Sequence, residues 1–299
     1  MGTTDHDRSI LDLGLGELFG PSLTDTSCVY IGKTEQVAAA VQICAQYLES
    51  VADSVLVMSG DNPVGLVGGF ELLYNLKENP RREWQYMTTV EEIMYDKVPR
   101  PSARTRLRTI LDEWKATRRA FACVQNQSGY SPLSARKILE LGMRLDDNIF
   151  LSSIPKTTHA AVFSHKSNLG DILDLMFKYN TRKLLLEGSS HFISDRLILN
   201  RLLRALNFQE NVEFFTDLSV KELPLGYARV IEDDIELNRL CVLMDKMDHP
   251  YVVFRNEDTV ISPWDICLAF ESNDLRESQL VERENWGKKV CPNCGAVVA

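Results

Sequence analysis

A mixed α+β fold, built from four copies of one small unit, is what this sequence predicts, and three observations carry the prediction. Four segments space their apolar residues i, i+3, i+4, i+7, which puts each stripe on one helix face. Each is followed by a short apolar run of the kind that forms a strand with a buried face. A turn-rich cluster follows each run, and after it comes a brief strand leading into a helix start.

In the first unit, Val37, Ala40, Val41 and Cys44 form the stripe, ahead of the run "VLVM" (55–58), the turn "SGDNP" and "VGLVGGFELLYN". In the second, Leu107, Ile110, Leu111 and Trp114 precede "AFACV" (120–124), the turn "QNQSG" and "YSPLSARKILEL". In the third, Leu169, Ile172, Leu173 and Met176 precede "KLLLE" (183–187), the turn "GSS" and "HFISDRLILNRL". In the fourth, Leu237, Leu240, Cys241 and Met244 precede "YVVF" (251–254), the turn "RNED" and "TVISPWDICLAF". The passage from strand to helix falls at Gly68, Ser134, Ser194 and Ser262, at nearly constant spacing. One amphipathic stripe would mean little. Four copies in the same order identify a repeat.

The closing segments "GLVGGFELL", "SPLSARKIL", "FISDRLIL" and "VISPWDIC" resemble the end of the cystathionine-beta-synthase (CBS) domain. In that family a hydrophobic residue, a small residue and Ser or Thr are followed, three residues on, by Asp or another polar residue. "TTVEEIMYDKVP" (88–99) resembles the family's lead-in, and "LSVKELPLGYARVIEDD" (218–234) is a looser version. The resemblance covers roughly residues 27 to 272. It implies four β-α-β-β-α repeats in two paired (Bateman) modules, 27–142 and 143–272. A helical lead-in (1–26) and a polar tail (273–299) flank them.

"VISPWDICLAF" poses the functional question. Ser262 is a good N-cap, Pro263 suits the first helical position, and Asp265 completes a variant capping box. The resemblance implies a second use, with Ser262 donating to a phosphate and Asp265 accepting from ribose hydroxyls at an anion-favouring helix start. Both readings stay open on the sequence. Ser194 would add a phosphate contact in the same module, and His249 would line that cleft or else be a surface histidine at a helix end. The other copies are degenerate: Glu71 keeps an acceptor beside Gly68, Lys137 follows Ser134, and Leu197 follows Ser194. Arg118 and Arg119 belong to a basic group with Arg100, Arg104, Arg106, Arg108 and Lys115. That group reads as a solvated helix face, a polyphosphate cleft between repeats 1 and 2, or a docking patch for an acidic partner.

Of the seven cysteines, only Cys291 and Cys294, in "CPNCGAVVA", are spaced for a metal. They make half of a zinc site, which two tails of a homodimer could complete. The net charge of −9 argues against general nucleic-acid binding. No apolar stretch approaches the ~20 residues of a membrane helix, and "MGTTDHDRSILDLG" lacks the form of a signal peptide, so the expected location is cytoplasmic. No Walker-A, G-x-G-x-x-G, H-E-x-x-H or G-x-S-x-G motif occurs. The expectation is therefore a non-catalytic sensor that binds an adenine nucleotide or adenosyl ligand and relays a change to a protein partner. The alternatives are a scaffold with decayed sites and a zinc-tail regulator acting on nucleic acid.

Overall fold

Four short hairpins, each running straight into a helix, mark the four units. The computed structural model describes residues 7–47, 53–146, 148–153, 161–254, 259–281, 289–290 and 297–298. The chain enters through α1 (Leu15–Phe19). The first unit is β1 (Tyr30–Gly32), α2 (Val37–Tyr47), β2 (Ser54–Ser59), β3 (Asn62–Gly68) and α3 (Gly69–Glu78). Short helices α4 (Trp84–Met87) and α5 (Val90–Ile93) lead to the second unit: α6 (Leu107–Thr117), β4 (Phe121–Asn126), β5 (Gly129–Ser134) and α7 (Ala135–Gly142). The third holds β6 (Val162–Phe163), α8 (Leu169–Tyr179), β7 (Lys183–Leu186), β8 (His191–Ser194) and α9 (Asp195–Asn207), with β9 (Gly226–Tyr227) added at the sheet edge. The fourth is β10 (Arg229–Ile231), α10 (Leu237–Asp245), β11 (Val252–Phe254), β12 (Thr259–Ile261) and α11 (Pro263–Ser272). Near the C-terminus, β13 (Lys289–Val290) pairs with β14 (Val297–Val298).

The architecture is mixed α+β with several small sheets, as the sequence predicts. In the first, third and fourth units a parallel strand joins an antiparallel hairpin: β1-β2-β3, β6-β7-β8 and β10-β11-β12. Among the described residues the second unit has only β4-β5. Its leading stretch contains Pro99 and Pro101, which have no N–H to donate to a ladder. The Cys123 N–H still donates to the Pro99 carbonyl at 2.9 Å. The "RNED" turn lies outside the described residues.

Every stripe residue named above is buried. Local chemistry sets the ends of the helices. At the start of α8, Asn168 Oδ1 accepts from Asp171 N at 2.8 Å, and Asp171 Oδ2 accepts from Asn168 N at 3.0 Å. That helix stops at Asn180, whose left-handed backbone (φ 48°) is one of the few cheap choices for a residue other than glycine. Gly60 (φ 59°) and Gly188 (φ 69°) turn two of the hairpins, where a side chain would be strained.

Each unit has two partners. Its sheet faces its neighbour in sequence: Cys28, Leu56, Leu66, Phe121 and Cys123 join units one and two, and Leu185, Phe192, Ala228 and Tyr251 join units three and four. Its helices pack two units away: α2 and α3 on α9, and α7 on α10 and α11. These two kinds of contact close the four units around a common centre. No described helix is long and apolar enough to cross a membrane.

Candidate functional site

The helices that follow the hairpins start at that centre. Their first residues, Gly69, Ala135, Asp195 and Pro263, all line a cavity of about 440 Å³ to which every unit contributes. The residues before them, Gly68, Ser134, Ser194 and Ser262, are extended, so the chain switches from strand to helix at this wall. The N–H groups of a first turn have no partner within their helix. Each helix start also carries about half a positive charge. Four such ends around one space favour an anion. Arg118, Arg119, Arg136, Arg182 and Lys183 add cationic side chains to the wall, and Asp53, Glu71, Asp195 and Asp265 add carboxylates.

Three of the carboxylates are held by arginines. Glu71 Oε1 accepts from Arg119 Nη2 at 2.5 Å and Nε at 3.1 Å, and its Oε2 accepts from Gly68 N at 3.0 Å. Arg182 donates from Nε to Asp195 Oδ2 at 2.6 Å and from Nη1 to Asp53 Oδ1 at 2.8 Å, tying unit three to unit one. The units approach so closely here that a Cβ on Gly69 would clash with the Asp195 carboxylate. Asp265 Oδ2 accepts from Ser262 N and from Ser262 Oγ, both at 2.8 Å. The cap read from the sequence is made, but the hydroxyl donates to the carboxylate, and Asp265 N donates to the Ser262 carbonyl at 3.0 Å.

Ser262, Asp265, Glu71, Arg118 and Arg119 thus meet at one cavity. Ser194 is fully buried beside it, and its Oγ accepts from Leu197 N at 3.3 Å as the cap of α9. His249 packs its ring against Phe192, 5.4 Å between centroids, within the sheet contact of units three and four. Ser134 and Lys137 line a separate, smaller cavity of about 210 Å³ that the N-terminal lead-in helps to fill through Ser22 and Asp25. There Lys137 pairs with Glu140 at 2.5 Å and Asp25 at 3.4 Å. The basic group divides: Arg108 goes to Asp12, Lys115 to Glu271, and Arg100 to the Pro63 carbonyl. Arg118 and Arg119, at the end of α6, reach the centre.

Sequence reasoning missed Asp53, Arg182, Lys183 and Asp195. A signal was present. Asp53 and Arg182 immediately precede the first strand of a hairpin, and Gly69 and Asp195 immediately follow the strand-to-helix switch, so each pair shares one offset in the repeat.

The buried cysteines are not candidates for chemistry. Burial pushes the Cys28 thiol up to about 12 and the Cys123 thiol to about 11, and drives Cys44, Cys241 and Cys267 up as well. Such thiols stay protonated and unreactive at neutral pH. Cys291 and Cys294 lie outside the described residues. Among the described residues no group of three or more His, Cys, Asp or Glu is placed to hold a metal.

No protein-family model matches the chain, and no curated protein matches it by sequence. Solved structures do resemble it. A Methanocaldococcus jannaschii protein, proposed to be an archaeal homologue of γ-AMPK, aligns with a TM-score of 0.65 at 17% identity, covering 85% of this chain and 99% of that one. The two share the α+β fold. An uncharacterised Pyrococcus horikoshii protein (TM-score 0.46, 12% identity, 73% of this chain and 91% of that one) also matches. So does a CBS-domain protein of Agrobacterium tumefaciens (TM-score 0.36, 13% identity, 47% of this chain and 97% of that one).

Proposed function

We propose that the chain is a non-catalytic regulatory protein of four CBS repeats in two modules, 27–142 and 143–272. It binds an adenine nucleotide or adenosyl ligand (AMP, ADP, ATP or S-adenosylmethionine) at the central cavity. The observation that carries this reading is the convergence of four helix starts and five cationic side chains on one space. Phosphate is favoured where the positive ends of helices and guanidinium groups meet. Asp265 takes the ribose hydroxyls, since a carboxylate with about four acceptor sites can serve its own cap and a sugar together. Ser262 Oγ, which now donates to Asp265, turns to a phosphate oxygen when ligand arrives. The fold shared with a protein proposed as a γ-AMPK homologue supports a sensing role.

Because the cavity draws on all four units, a ligand there favours one relative placement of the modules over others, and a protein partner reads the difference. The setting is cytoplasmic. Cys291 and Cys294 of two chains complete a zinc site in a homodimer, and metal analysis of the purified chain at about half an equivalent of zinc would support it.

A thermal-shift and calorimetry series with AMP, ADP, ATP and S-adenosylmethionine tests the central point. A ligand at 100 times its Kd stabilises the folded state by about 2.7 kcal/mol, a readily measured rise in Tm. No shift with any of the four at millimolar concentration would sink the sensor reading. It would favour a ligand-free scaffold.

A further inference from the structure

One rim of the cavity is aromatic. Phe70, the second residue of α3, and Phe177 and Tyr179, at the end of α8, line it. Phe70 is 46% exposed and Tyr179 50%, so the cavity opens to solvent between these two helices. Tyr74, one turn along α3, extends the rim. Its ring lies within 12° of parallel to Phe70 at 6.2 Å, and Phe177 meets both edge-on at 5.6 and 5.8 Å. Just inside, the Arg119 guanidinium lies 5.2 Å from the Phe70 centroid and 3.9 Å from that of Tyr95. Arg118, held exposed in a left-handed backbone, makes no hydrogen bond or ion pair among the described residues.

We infer that this rim is a second subsite, which stacks the planar base of a nucleotide while the phosphate enters the cavity beside Arg118. The inference rests on the cavity being the nucleotide site proposed above. It adds a base-binding surface on units one and three, away from Asp265 on unit four. A flat aromatic ligand satisfies the exposed rings, and its anionic end satisfies the guanidinium and the helix starts behind them. Stacking on ring faces does not read hydrogen-bonding edges, so the subsite tolerates any base. The rim wall offers π-faces and cations, and its carboxylate, Glu71, is already paired with Arg119. Selectivity therefore lies in the phosphate.

Calorimetry on the full chain tests this with AMP, and with inorganic tripolyphosphate as a probe that lacks a base. The unaltered chain should take two equivalents of AMP. Phe70→Ala and Tyr179→Ala should each weaken one equivalent by about tenfold or more, while Asp265→Ala should leave that equivalent in place. Tripolyphosphate should bind the Phe70→Ala variant as it binds the unaltered chain. Unchanged AMP binding in both aromatic variants would overturn the subsite and leave the Asp265 reading standing. Equal losses of AMP and tripolyphosphate in Phe70→Ala would also overturn it, because the ring would then act through Arg119 and not by stacking. If the unaltered chain binds no AMP, the subsite falls, and the reading of the cavity falls with it only when ADP, ATP and S-adenosylmethionine also fail to bind.

Discussion

Units three and four place a buried carboxylate at the same cavity, and the two carboxylates do different work. Asp195, the first residue of α9, is 1% exposed and is gripped by Arg182, which also holds Asp53 of unit one. Asp265, the third residue of α11, is 3% exposed and accepts from the backbone and hydroxyl of its own cap. A shift of two positions along the first helical turn separates a carboxylate that locks two units together from one that closes the cap of its own helix. Position alone does not set the role, since Glu71, the third residue of α3, closes the same kind of cap and is also held by Arg119.

The largest expected effect is on the locked side. Arg182→Met leaves Asp195 and Asp53 without their shared guanidinium. Removing one partner of a buried pair costs about 3–5 kcal/mol, and Arg182 is partly exposed, so the lower end is expected in urea denaturation. A loss under about 1 kcal/mol would show that the lock is dispensable. Gly69→Ala should follow at about 1–3 kcal/mol, because the added methyl must displace the Asp195 side chain. On the other side, Asp265→Ala removes the acceptor of the α11 cap, worth about 1–2 kcal/mol, and should cost less than Arg182→Met. If it destabilises the chain as much as Arg182→Met, the contrast between the units fails.

The two sheet contacts also differ. Units one and two meet through Cys28 and Cys123, and units three and four through Phe192 and Tyr251. Burial raises both thiols, so the folded chain holds their protons after the unfolded chain has begun to release them near the ordinary thiol value of 9.0. The unfolded state then binds fewer protons, and stability falls as pH rises. That contribution is intact below about pH 8.5. It declines through the folded values of about 11 and 12. Denaturation midpoints at about pH 8 and about pH 10.5 should show the drop. A Cys28→Ala, Cys123→Ala variant should show a smaller one, and an unaltered slope would assign it elsewhere.

Much of this was legible in the sequence. The helix stripes, the first hairpin strands and the strand-to-helix switches follow from apolar periodicity and turn residues, which act locally. Ser262 and Asp265 were legible for the same reason, since a cap is a short-range pattern. The missing first strand of unit two was written in Pro99 and Pro101, though a family pattern obscured it. What could not be read was which charges meet. Arg182 pairs with Asp53 because units one and three pack on each other, and Lys137 finds Asp25 because the lead-in lies against unit two. Long-range partners of this kind leave no spacing in the chain.

The central claim is that Asp265 belongs to a nucleotide site. Its most direct test is calorimetric titration of AMP, ADP, ATP and S-adenosylmethionine into the unaltered full-length chain and into Asp265→Ala, with the melting of each recorded. The account predicts binding by the unaltered chain and loss of about tenfold or more in affinity for one equivalent in the variant, with the fold retained; a charged hydrogen bond is worth about 1.5–3 kcal/mol. Equal affinity in the two proteins, or no binding by the unaltered chain, would contradict it.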